Sequence, residues 1–310
     1  MTPAPLGLLL DVDGPLASTE TRRVPDEVLD RLAALGRRGI PVGFNTGRSV
    51  EFLLRHVLEP LRERGGLDGT PFYGISEKGA VWFPFSAVPA GEVPPVDDRE
   101  QVPDWLRRDE DMVIEPDLAR AIVQANDDHA RDLQPEDRTK LAMVSFEMEV
   151  GADREEYEPA RDAAAQAIEA MLAERGEDGR IRVDPTVISV DVEHVRSGKD
   201  LGLERCRALM AEAGVPFPDR WFTAGDSRTD YAMADALHEQ GVQVSHVDVR
   251  PEDGVPERPY PVITAADLAE RGFGDADDVH EQVGASLLAW VLSELSEGGH
   301  DDHDGAAARN

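Results

Sequence analysis

Cysteine is nearly missing from this chain of 310 residues: Cys206 stands alone. That excludes an internal disulfide and any zinc site built on several thiolates. Its setting, Leu203-Glu204-Arg205-Cys206-Arg207-Ala208-Leu209, has helical spacing and reads as a packed, inert thiol. Lysine is almost as scarce. Only Lys78, Lys140 and Lys199 occur, and arginine supplies the rest of the 32 basic side chains. No apolar run approaches the length of a membrane span. No basic segment precedes Leu6 to Leu10, which Asp11 cuts short before it could serve as a signal-peptide core, so a cytoplasmic location is the expectation.

Acid, by contrast, is abundant: 63 Asp and Glu set a net charge of −31. Such a field repels nucleic acid and anionic membranes, and neither is expected as a partner. An anionic ligand would need local lysine, arginine or a metal. High acid with little lysine reads as adaptation to high salt, where screening relieves self-repulsion. Unfolding measured in dilute buffer and in molar salt is expected to show a gain in stability, and equal stabilities would remove that reading.

An apolar content of 41% is compatible with a soluble, globular chain of one large domain or two smaller ones. The run Leu8-Leu9-Leu10-Asp11-Val12-Asp13-Gly14 reads as a buried parallel strand ending in two carboxylates and a turn. Parallel α/β sheets place their chemistry just past the carboxyl ends of strands. Helix at 26–38, strand at 40–44, helix at 50–61, strand at 72–75 and the apolar Val81-Trp82-Phe83 follow, a β-α-β-α-β order. Residues 86–104 are rich in proline and acid and read as linker or loop. Helices near 117–132 and 154–175 and strands near 141–150, 180–183 and 186–192, the last two separated by Asp184-Pro185, form an α+β block. Alternation resumes with a helix from Lys199 to 213, strands at 221–224 and 242–247, a helix at 230–240, one more strand at Val262-Ile263 and a last helix near 279–295. The fold class expected is α/β: a Rossmann-like parallel-sheet core, residues 1–85 and 196–295, with an inserted α+β cap, 86–195. Residues 296–310 form an acidic tail expected to be disordered.

Three more clusters stand at element ends. Thr46-Gly47-Arg48 follows the second strand, where a hydroxyl and a free N–H can hold a phosphate oxygen. Ser197-Gly198-Lys199-Asp200 opens a helix, and a lysine in a first turn, where the dipole is positive, suggests a bound anion. Gly225-Asp226-Ser227-Arg228-Thr229-Asp230 follows the apolar Trp221-Phe222-Thr223-Ala224. Hard oxygen ligands in this number suit Mg²⁺ beside a substrate phosphate.

In this order the four clusters resemble the haloacid-dehalogenase-like superfamily of aspartate-nucleophile phosphohydrolases, over residues 8 to about 247. Asp11-Val12-Asp13-Gly14 is similar to the first motif, Thr46 to the second, Lys199 to the third, and Gly225-Asp226-Ser227 with Asp230 to the fourth. The insertion resembles the large α/β cap of the sugar-phosphate phosphatase branch. Glu77-Lys78-Gly79-Ala80 is similar to the Glu-Asn-Gly-Ala turn of that branch. The resemblance implies a Mg²⁺-dependent phosphatase of small phosphomonoesters, sugar phosphates or phosphoglycerate derivatives. Asp11 would be the nucleophile, Asp13 the general acid and base, Thr46 with Gly47 the phosphate holder, and Lys199 the stabiliser of charge. Asp226 would ligate the metal together with Asp11 and the Asp13 carbonyl, and Asp230 would support the metal or Lys199. Arg48, Lys78 and Lys140 are candidates for further substrate contacts. A sugar phosphomutase or a non-catalytic phospho-ligand sensor are the rival functions. Pro15 in place of the usual threonine and Arg228-Thr229 before the last aspartate depart from the pattern. The expectation as a whole is that Asp11, Asp13, Thr46, Lys199 and Asp226 surround a single cation-sized pocket.

Overall fold

Leu8 and Leu10 bury their side chains on one face of a sheet and Leu9 on the other, as the two-residue period of a strand requires. They lie in β1 (Gly7–Leu10), and the computed structural model, which describes residues 4–65, 67, 69–92, 101–250 and 254–297, places that strand near the centre of the larger of two sheets. Its neighbours are β2 (Val42–Asn45) and β9 (Arg220–Gly225), both parallel to it. Beyond β2 come β3 (Phe72–Ser76), parallel, then β4 (Val81–Pro84) and β5 (Arg107–Arg108), antiparallel. Beyond β9 come β10 (Gln243–Asp248) and β11 (Val262–Ile263), parallel. The order is β11-β10-β9-β1-β2-β3-β4-β5. Helices α1 (Asp26–Arg37) and α9 (Glu281–Glu297) pack together on the side of Leu8 and Leu10, with the short α8 (Ala265–Glu270) against α9. Helices α6 (Lys199–Glu212) and α7 (Tyr231–Glu239) cover the side of Leu9, where Cys206 is buried. Burial pushes that thiol's pKa up to about 12, so it is inert.

A second sheet has three antiparallel strands in the order β6 (Val144–Glu147), β8 (Ser189–His194), β7 (Ile181–Pro185). Helices α4 (Pro116–Ala130) and α5 (Arg154–Arg175) pack on it through Ile122, Ile168 and Leu172 against Phe146, Val190 and Val192. This is the α+β cap, set between β5 and α6 on a mixed, mainly parallel Rossmann-like sheet.

Local differences from the sequence reading have physical causes. The helix expected over 50–61 is α2 (Val50–Leu53), a π-type turn over Leu54–Leu58, then α3 (Glu59–Glu63). Pro60 lacks the N–H that would continue a regular ladder, and the turn before it widens. The strand expected over 141–150 is shorter because the N–H groups of Leu141, Ala142 and Met143 donate to the Glu77 carboxylate at 2.8, 2.8 and 3.1 Å. The turn expected at Asp184-Pro185 falls instead after β7, where the Thr186 hydroxyl accepts from the N–H groups of Ile188 and Ser189. Just past the stretch read as loop, before the helix expected near 117, the two-residue β5 joins the large sheet. Helix α9 runs to Glu297, and the remainder of the expected tail, 298–310, lies outside the described residues.

Cap and core are pinned by two adjacent residues of one turn. Glu77 and Lys78, at φ +51° and +52°, adopt the left-handed conformation that side chains other than glycine seldom take. The geometry sends Glu77, fully buried, to the three cap N–H groups. It sends the Lys78 ammonium to Asp184, Asp191 and Glu193 of β7 and β8 at 2.8, 3.1 and 3.0 Å. Burial would lower the pKa of Lys78, but the three carboxylates hold it above its ordinary value.

Candidate active site

β1 ends at Leu10, so Asp11 emerges at the carboxyl edge of the sheet with only 7% of its surface exposed. Its backbone N–H donates to Ala224 on the neighbouring strand β9. One turn into the loop, Gly14 takes φ +86°, and a Cβ there would come within 2.8 Å of the Asp226 side chain. Glycine therefore lets the two acidic strand ends approach. β9 ends at Gly225 and presents Asp226, while Asp230 lies at the start of the helical segment that follows. Carboxylate oxygens of Asp11, Asp226 and Asp230 all lie within 4.8 Å of one another.

Lys199, at the N-terminus of α6, enters this group. Its ammonium donates to the Asn45 carbonyl at 2.8 Å and forms ion pairs with Asp11 Oδ1 at 2.7 Å and Asp230 Oδ1 at 2.9 Å. Asn45 returns a bond from Nδ2 to the Lys199 carbonyl at 2.8 Å. A Cβ on Gly202 would sit 2.2 Å from Asn45 Oδ1, so only glycine admits that contact. Asn45 is a site residue that the sequence reading missed. Its one signal was an amide side chain at the end of an apolar strand.

The charges are unequal. Burial raises the Asp11 pKa well above its usual range, opposed by Lys199 and reinforced by Asp230 and Asp13. Burial likewise raises Asp226, with Asp230 adding to it and Lys199, Arg250 and His280 opposing. Burial would raise Asp230 too, but Lys199 and the Ser227 hydroxyl hold it below its ordinary value. Lys199 itself would be depressed by burial, and Asp11 and Asp230 lift it above its ordinary value. Three acids against one lysine leave an excess of negative charge in a nearly dry setting, the condition that a divalent cation satisfies. Lys199 and the Val12 N–H both occupy Oδ1 of Asp11. Among the described residues no donor reaches Oδ2.

The remaining predicted residues lie around this centre in different ways. Thr46 follows β2, the strand beside β1, and is buried. Its hydroxyl accepts from the Arg48 N–H at 3.1 Å. Lys140, reaching in from the cap and only 2% exposed, donates to the Gly47 carbonyl at 2.7 Å. It grips the Thr46-Gly47-Arg48 turn. Lys78 is committed to the cap acids described above. Asp13 stands apart from the acidic trio. Its carboxylate is forked by Arg48, with Nε to Oδ2 at 3.0 Å and Nη2 to Oδ1 at 3.2 Å. Asp230 has both oxygens engaged, one by Lys199 and the other by Ser227, so its first role is to hold those groups. All three lysines of the chain therefore sit at this centre or at the junction of core and cap. A crevice of about 330 Å³ opens at that junction, lined by Arg22, Arg48 and Phe52 from the core and Glu136, Glu147 and Met148 from the cap.

No protein-family model matches the chain, and no curated protein matches it in sequence. Solved structures do match in shape. A haloacid dehalogenase-like hydrolase from Bacteroides thetaiotaomicron superposes with a TM-score of 0.56 at 14% identity, covering 84% of this chain and 93% of that one. The C-terminal domain of the C. albicans trehalose-6-phosphate phosphatase gives 0.56 at 13% identity, covering 94% and 93%. The fold is that of the haloacid dehalogenase-like hydrolases, cap included.

Proposed function

We propose that the chain is a phosphatase that hydrolyses small phosphomonoesters through a phosphorylated Asp11, with Mg²⁺ as cofactor. The observation that supports this most is the environment of Asp11. A buried carboxylate has one oxygen held by Lys199 and the other free of donors among the described residues, at the strand edge where a parallel sheet binds ligands. Asp11 Oδ2 attacks phosphorus, the ester oxygen leaves with a proton from Asp13, and Asp13 then takes a proton from the water that clears the aspartyl-phosphate. Thr46 and Gly47 hold phosphoryl oxygens, and Lys199 balances their charge while keeping Asp11 aimed. Lys78 and Lys140 serve the reaction indirectly, by holding cap and phosphate turn in place. Asp11, Asp226 and the Asp13 carbonyl would hold the metal, with Asp230 behind them. The metal supplies positive charge that offsets the crowding of carboxylates and phosphate.

The cap covers the site and its crevice is the place for the leaving group. One fold neighbour is named for trehalose 6-phosphate, and that supports trying sugar phosphates first. Phosphoglycerate derivatives follow. Phosphate release from such a panel, with Mg²⁺ and with chelator, in low and high salt, is the test. Release that needs Mg²⁺ is expected. Isomerised sugar phosphate with little free phosphate would indicate a mutase instead. Binding without any turnover would indicate a sensor.

A further inference from the structure

We propose that Glu147, on cap strand β6, is a positioning residue for Asp13 and acts through Arg48, so that closure of the cap sets the proton donor. The inference rests on the phosphatase reading above. Arg48 divides its guanidinium between two elements. Nε and Nη2 grip Asp13 of the core, and Nη1 donates to Glu147 Oε1 of the cap. The second Glu147 oxygen is held by Arg22 at 3.2 Å, on the core loop after β1. The side chains of Asp13, Arg48 and Glu147 are 29%, 18% and 24% exposed, so water screens them only in part.

The guanidinium is planar, and all of its nitrogens are in use. It lies 5.3 Å from the centre of the Phe52 ring. Its backbone is fixed as well, because the Arg48 N–H donates to Thr46 and the Arg48 carbonyl accepts from Glu77. The plane of the fork cannot turn toward one carboxylate without loosening its hold on the other. Glu147 thereby fixes the plane in which Asp13 is presented. When the cap swings away, Glu147 leaves with it and that constraint is lost. Asp13 is competent only when the leaving group is enclosed.

General-acid help matters for a poor leaving group and little for a good one, which separates this role from a merely structural one. The test compares kcat/KM, which reports steps up to loss of the leaving group, for β-glycerophosphate and for p-nitrophenyl phosphate with saturating Mg²⁺. For Glu147→Gln the β-glycerophosphate value is expected to fall by about tenfold or more, and the p-nitrophenyl phosphate value by less than about threefold. Asp13→Asn should show the same split, enlarged. Equal losses on both esters, or none on either, would overturn the proposal. Should Glu147→Gln fail to fold by thermal melt, Arg48→Lys must give the same split, because lysine keeps the charge but not the fork. Parent protein that releases no phosphate from either ester would sink the phosphatase reading and this inference together, whereas an active parent with an unsplit variant sinks the inference alone.

Discussion

Asp11→Asn is expected to lower phosphate release by about 10⁴-fold or more while leaving the fold intact and the melting temperature at or above that of the parent. The amide keeps the shape and the bond from Lys199, but it is a poor nucleophile. The thermal part follows from linkage. The Asp11 pKa is raised in the folded chain, chiefly by burial. Its ionised form is thus disfavoured there relative to the unfolded chain, and stability falls as pH rises above the unfolded value. At neutral pH the substitution removes that penalty. Steady-state release together with a melting curve near pH 7 checks both halves. Near-parental turnover would exclude Asp11 as the nucleophile.

Lys199→Ala has the largest expected effect on stability. It leaves Asp11, Asp230 and Asp226 close together without their shared cation, and breaking a buried ion pair on one side costs about 3–5 kcal/mol. Urea unfolding measures the loss. Combining Lys199→Ala with Asp11→Asn should recover part of it, since one of the stranded charges is then gone, while activity stays absent. The same interaction has a pH signature. Lys199 is held above its ordinary pKa of 10.5 by Asp11 and Asp230. Its contribution is full below that value and is lost as pH rises through the folded one. The gap in stability between parent and variant is therefore expected to be constant through neutrality and to close only in strong alkali. A variant as stable as the parent would show that Lys199 is not the counter-ion of this cluster.

The acids at the strand ends could be read from the sequence because each follows an apolar run, and a parallel sheet aligns such ends on one edge. Asp11, Asp226, Asp230 and Lys199 converge for that reason. The junction between core and cap was hidden. Asp191 and Glu193 alternate with Val190 and Val192 in β8, a pattern that reads as one wet and one dry face. In the structure both are buried, because Lys78 arrives from a turn more than a hundred residues earlier. Glu77 and Glu147 likewise find partners that only the docking of the cap supplies. Lys78 and Lys140 looked like ligands for an anion. The chain's own carboxylates and a backbone carbonyl occupy them, and no local pattern encodes such pairing at long range.

Chemical trapping tests the central claim most directly. The protein is mixed with a ³²P-labelled phosphomonoester that it turns over, quenched in acid within a fraction of a turnover, digested and mapped. The account predicts a base-labile label on the peptide that carries Asp11, absent from Asp11→Asn. Phosphate release with no label at Asp11 on any quench time, or with label on another residue, would contradict it.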